Sequence, residues 1–211
     1  MSRLHIFDMD GTLLHGSTAS LEIARALDCV PQVNALEVQF AQGDITTAQF
    51  AAGVCALWQS LTVEQAAQVF AASPWMQQLP QVFADIRLRG EHSLVITLSP
   101  DFYANHLLAQ GADRVVGSIF PALPFRTLPL PENILTPEDK ITHATAFIEQ
   151  LQLSTEQCVA YGDSGSDIPL FQMMQNTLAI NGSASIVSLA KVSYQGDNLW
   201  DAYQLARSSF W

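Results

Sequence analysis

Positive charge is what this sequence has least of: nine Lys and Arg stand against twenty Asp and Glu, for a formal net charge of −11. A surface of that sign repels nucleic acid and anionic membranes, which excludes both as partners. An anionic substrate then has to be met by local chemistry such as a metal ion. Cysteine is scarce too. Cys29, Cys55 and Cys158 are odd in number, far apart and without metal-ligand spacing. That excludes a disulfide framework and suits buried thiols in a reducing compartment. No long apolar stretch develops in "MSRLHIF" before the first acids, so neither a secretory signal nor a membrane anchor is expected, and the expected location is the cytoplasm. Charged residues make up only 14% and hydrophobic ones 49%, a balance that excludes disorder and calls for a sizeable core. The 211 residues suffice for one domain, or for a core domain carrying a smaller insert. No pattern fixes an oligomeric state.

What is present is an alternation of short apolar runs and longer stretches of helical period. Leu4 to Phe7, Leu94 to Leu98, Val115 to Ile119, Val159 to Tyr161 and Leu178 to Ile180 read as buried strands. Such alternation predicts an α/β fold, a Rossmann-like parallel sheet with crossover helices. Residues 15–89 differ. They hold successive helix candidates, Ser17 to Leu27, Val33 to Gln42, Thr47 to Leu61, Val63 to Ala72 and Met76 to Leu88, with "TTAQ" and "TVEQ" as N-terminal caps. The expected organisation is therefore a catalytic core of residues 1–14 and 90–211 and an inserted helical-bundle cap of residues 15–89. The proline-rich "PALPFRTLPLP", Pro121 to Pro131, is expected as a loop or short hairpin near the junction.

The first strand runs directly into Asp8-Met9-Asp10-Gly11-Thr12. An isolated Asp-Gly is usually a hydrated turn, but D-x-D-G-T fixes four positions and arises by chance in roughly one in several hundred chains of this size. At the carboxyl end of a strand in an open α/β sheet, it sits where ligands bind. A second acidic group, Asp163 and Asp167 in "YGDSGSDIPLF", follows another strand. A parallel sheet can bring both strand ends together, and four converging carboxylates are unstable without a cation. Oxygen-only ligation with room for water favours Mg²⁺ over Ca²⁺. Ser99 ends a third apolar run and offers a hydroxyl to an anionic oxygen, and Lys140, near the start of a predicted helix, offers a cation in a chain poor in them.

In order and spacing, Asp8-x-Asp10-Gly11-Thr12, Ser99, Lys140 and Gly162-Asp163-x-x-x-Asp167 resemble the four motifs of the haloacid dehalogenase superfamily, most of all its phosphoserine-phosphatase-like branch, whose helical cap is inserted after the first motif. The resemblance implies a Mg²⁺-dependent phosphatase acting on a small phosphorylated metabolite through an aspartyl-phosphate. Asp8 would be the nucleophile and Asp10 the acid and base. Asp8, the backbone carbonyl of Asp10 and Asp163 would hold the metal, with Asp167 orienting its waters. Ser99 and Lys140 would bind the phosphoryl oxygens. Two alternatives use similar residues: a receiver-like regulatory protein that accepts phosphate without turnover, and a phosphotransferase or phosphomutase.

The segment that would select the substrate departs from the phosphoserine pattern. "LLHGSTAS" has no acid before Glu22, Arg25 is the one Lys or Arg between His15 and Asp85, and Ser99 is followed by Pro100, which has no N–H to donate. A less charged metabolite phosphate is expected instead of phosphoserine. Arg25 is expected to pair with Glu22 within its helix, Trp58 and Trp75 to belong to the helical core, and His15 to lie in a loop. Hinges for the insert are expected near His15–Gly16 and Arg89–Gly90.

Overall fold

A computed structural model describes residues 2–211. Its six strands are β1 (Leu4–Phe7), β2 (His92–Pro100), β3 (Arg114–Ser118), β4 (Cys158–Gly162), β5 (Asn176–Ile180) and β6 (Val192–Tyr194). They form one all-parallel sheet in the order β3-β2-β1-β4-β5-β6. β1 lies inside the sheet. The chain extends the sheet to one side through β2 and β3, then crosses back to lay β4 against the other edge of β1. The carboxyl ends of β1 and β4 therefore flank the topological switch point, where open α/β sheets bind ligands.

Alternation along each strand divides the core between the two faces of the sheet. Leu4 and Ile6 join Leu94, Ile96, Ala160 and Ala179 in one buried cluster, and Phe7 joins Val95, Val159, Tyr161 and Leu178 in the other. Both faces are covered, which is why these strands read as continuous apolar runs.

Five helices lie between β1 and β2: α1 (Ala19–Ala26), α2 (Val30–Gln42), α3 (Thr47–Leu57), α4 (Val63–Ala72) and α5 (Leu79–Leu88). The caps expected at Thr46 and Thr62 are present as reciprocal boxes with Gln49 and Gln65, each worth about 1 kcal/mol. α3 stops at Leu57, with the fully buried Trp58 as its cap. α5 starts at Leu79 and not at Met76, because Gln78 turns left-handed at φ +61° and Trp75 and Gln77 form bridges with Leu14 and Asn198. The five helices are of two kinds. α1 packs on α2 and α4, and α2 on α3, whereas α5 packs on β2 and the last helix in the layer that covers the sheet.

The remaining helices are α6 (Asp101–Ala104), α7 (His106–Ala109), α8 (Pro137–Gln150), α9 (Ile168–Met173), α10 (Ala184–Leu189) and α11 (Leu199–Phe210). Residues 121–130 form neither helix nor strand. No helix among the described residues is long and apolar enough to cross a membrane.

Candidate active site

Asp8 follows β1 by one residue and extends its pairing, its N–H donating to the Tyr161 carbonyl at 3.0 Å. Its carboxylate is buried beside Lys140, which stands in the first turns of α8 behind a cap formed by Thr136 and Asp139. The Lys140 Nζ donates to Asp8 Oδ1 and to Asp167 Oδ1, both at 2.6 Å. The other oxygen of Asp167 accepts the backbone N–H groups of Asp163, at 3.0 Å, and Ser164, at 3.3 Å. Asp167 thus fixes both Lys140 and the turn that follows β4. That turn carries Asp163 to β1: one oxygen each of Asp8, Asp163 and Asp167 lie within 4.8 Å of one another.

Two glycines make this approach possible. A Cβ on Gly11 would lie 2.2 Å from Asp163 Oδ2, and φ there is +76°; a Cβ on Gly162 would lie 2.5 Å from the Asp167 carboxylate. No side chain fits at either place.

The cluster is short of positive charge. Burial first, and then the neighbouring Asp167, push Asp8 well above the usual carboxylate range, against the pull of Lys140. The same two causes raise Asp163 to about 7. Burial would lower Lys140, but Asp167 and Asp8 outweigh it and raise its pKa. Asp163 Oδ1 is buried without a hydrogen-bond partner. An orphaned oxygen, an all-oxygen donor set and excess negative charge suit a hard divalent cation such as Mg²⁺.

Asp10 is held apart from that cluster. Oδ1 accepts the Ala19 N–H at 2.6 Å, and Oδ2 accepts the hydroxyls of Thr97, at 2.9 Å, and Ser99, at 2.7 Å. Ser99 does not end its strand: β2 runs on to Pro100, which pairs with Ser118 after a shift of register. Thr97 escaped the sequence reading, although its place two residues before Ser99 puts both hydroxyls on one side of β2.

Asp8, Asp10 and Ser99 open onto one cavity of about 600 Å³, roofed by α2 and α3. Phe40, Phe50, Val54 and Phe120 give it apolar walls, Ser164 and Ser166 border it near β4, and Glu37 enters from α2. None of these residues was singled out from the sequence. Phe40, Phe50 and Val54 share only a weak signal, large apolar positions on two helices that also read as ordinary core. Lys140 lies behind Asp8 and does not line the cavity. Arg25 is bound to Glu22 and Ser17 and is half-exposed, Trp58 and Trp75 pack in the core, and His15 contacts Asn181. All four lie outside the cavity wall.

A sequence model of haloacid dehalogenase-like hydrolases matches residues 6–172, a span that runs from β1 through the Asp163 turn. The chain belongs to this family. Solved structures agree in fold with this haloacid dehalogenase-like hydrolase. A family hydrolase from Salmonella enterica serovar Typhi superposes with a TM-score of 0.83 at 18% identity, over 95% of this chain and 70% of that one. A substrate-bound phosphoserine phosphatase gives 0.81 at 16% identity, over 97% and 98%. A probable phosphoserine phosphatase from Vibrio cholerae gives 0.75 at 16%, over 98% and 66%. No curated protein matches the sequence.

Proposed function

We propose that this hydrolase removes phosphate from a small phosphomonoester with Mg²⁺ as cofactor, Asp8 serving as nucleophile and Asp10 as acid and base. The observation that carries this reading is the placement of Asp8 and Asp10 on one cavity beneath α2 and α3 while Lys140 backs Asp8 from behind. An Asp8 oxygen attacks phosphorus as Asp10 gives its proton to the departing alkoxide. Asp10 then takes a proton from the water that cleaves the acyl phosphate, which restores both carboxyl groups. Thr97 and Ser99 suit this exchange, since a hydroxyl turns to accept as readily as it donates and so serves Asp10 in either protonation state. Ser99 then also faces a phosphoryl oxygen, and Lys140 offsets its charge.

Asp8, the carbonyl of Asp10 and Asp163 would hold Mg²⁺, with Asp167 reached through water because its own oxygens are engaged. The ion, when bound, screens the phosphate from the attacking carboxylate. Residues 15–89 act in this reading as a cap whose moving part is α1 to α4, since α5 packs with the sheet. Gly16, at φ +62°, is its first pivot; the second then falls between α4 and α5 and not at Arg89–Gly90, which lies beyond the helix packed on the sheet.

A cavity of about 600 Å³ over Asp8 favours turnover over a receiver-like switch, which needs no substrate volume. The absence of Lys and Arg from its lining favours a leaving group without a second negative charge. The test is release of inorganic phosphate from a panel of phosphorylated metabolites. Activity is expected with Mg²⁺ and not after chelation; full turnover in the metal-free protein would overturn the metal assignment.

A further inference from the structure

The cavity is unusual in its balance of charge. Its walls are mostly apolar, and besides the two catalytic carboxylates its ionisable lining residue is Glu37, a third acid. Glu37 has no salt-bridge partner among the described residues; its one recorded side-chain contact is from the Thr18 hydroxyl, which donates to Oε1 at 3.2 Å. Thr18 caps α1, and the next N–H, that of Ala19, is the one that holds Asp10. Glu37 is thereby fixed in the same frame as the acid and base, while Phe40 on its own helix and Phe50 on the next lie beside it in the wall. Burial raises the Glu37 carboxyl, the Thr18 hydroxyl opposes this, and the Asp10 charge adds to the rise. A cation or strong donor placed in the cavity would relieve that unfavourable field.

We infer that Glu37 is a specificity-determining residue that receives a protonated amine, carried on an apolar or aromatic leaving group whose phosphate faces Asp8. The inference rests on the phosphatase reading and names the substrate class within it: a phosphate ester of an amino alcohol with an apolar body. An amine meets Glu37, the ring or chain meets Phe40 and Phe50, and a carboxylate would find no cation in the lining. A leaving group bearing a second anion is excluded by repulsion from Glu37.

Three aryl esters that differ only in the para side chain separate these terms: 4-(2-aminoethyl)phenyl phosphate, 4-ethylphenyl phosphate and 3-(4-phosphonooxyphenyl)propanoate. With Mg²⁺ present, the full chain is expected to favour the amine over the ethyl compound in kcat/KM by at least about tenfold, the scale of one charged hydrogen bond. The carboxylate should be the poorest of the three. Glu37→Gln, which keeps the shape, should bring the amine-to-ethyl ratio below about threefold. A wild-type ratio near one, or a ratio that Glu37→Gln leaves unchanged, overturns the inference. Failure of all three esters would instead count against the phosphatase reading. Calorimetric binding of the free alcohols tyramine and 4-ethylphenol to wild type and Glu37→Gln then decides the role of Glu37 without turnover: equal affinities for the two in wild type overturn it.

Discussion

The two ends of β1 bury charge in opposite ways. At the amino end, His5 sits between the Tyr161 hydroxyl, at 2.9 Å, and Glu91, at 3.2 Å, and Arg207 donates twice to Glu91, at 2.6 and 3.1 Å. Tyr203 completes the network, accepting from Arg207 and donating to Asp85. Every charge there has a partner, and α11 is tied to β1 and β2 by the result. Three residues further along, Asp8 and Asp167 share the single ammonium group of Lys140, and an oxygen of the neighbouring Asp163 is left without a partner. Matched charge serves stability, and unmatched charge creates an attraction for something not yet bound. One strand carries both because its ends face different company.

Substitutions that exchange the characters of the two ends test this contrast. Asp8→Asn should remove turnover and covalent phosphorylation together, by on the order of 10⁴-fold or more, as measured by phosphate release and intact mass. Asp163→Asn should also inactivate, yet in chelator it should melt higher than wild type, since it removes one of the crowded carboxylates. A lower melting temperature would show that the carboxyl end is not overcharged. Gly11→Ala pushes a methyl group into Asp163 and should lower kcat/KM by about 10²-fold, the scale of a displacement of about an ångström.

At the amino end the expected order reverses. Glu91→Gln should destabilise by about 3 kcal/mol, as for other broken buried pairs, and leave kcat within about twofold. Burial alone would raise the Glu91 carboxyl, but the hydrogen bonds from His5 and Arg207 outweigh it and hold it at about 2. Its stabilisation is thus complete above the ordinary carboxylate range and disappears as pH falls towards about 2. His5 is kept neutral by burial, which outweighs Glu91, so the unfolded chain binds its proton first and stability begins to fall below about pH 6.5. Denaturant melts across pH should show both limbs in wild type and only the upper one in Glu91→Gln. The smallest effect is expected at Arg25, which lies outside the cavity: Arg25→Ala should change kcat/KM by less than about tenfold, below about 1.4 kcal/mol.

Much of the carboxyl end was legible because each motif terminates an apolar run, and a parallel sheet brings such ends to one edge. Asp8, Asp10 and Asp163 could be gathered from that rule alone; Lys140, near the start of a helix, joined them only as one of an ordered set of motifs. Their pairings could not. That Ser99 and Thr97 both hold Asp10 depends on β2 continuing to Pro100, a matter of register with β3 that composition does not encode. Glu37 reads as one polar residue on an amphipathic helix until the roof is assembled over Asp8. The amino end was not legible at all. His5 looked like part of a strand, and its partners Glu91 and Tyr161 lie 86 and 156 residues away. β6 is three residues long and half polar, too short for periodicity to announce it.

The strand order also has a consequence for the order of events on the ribosome. β1 is made first, but one of its two neighbours, β2, follows only after five helices, and the other pairs Leu4 with Cys158. At the usual 5–20 residues per second, that second edge stays open for roughly 8–30 s of synthesis. Until then Asp8 lacks Asp163 beside it and the closed sheet edge behind it, so a nascent chain holds Asp8 as an ordinary carboxylate. The charged environment of Asp8 is assembled in one late step, when β4 closes the gap.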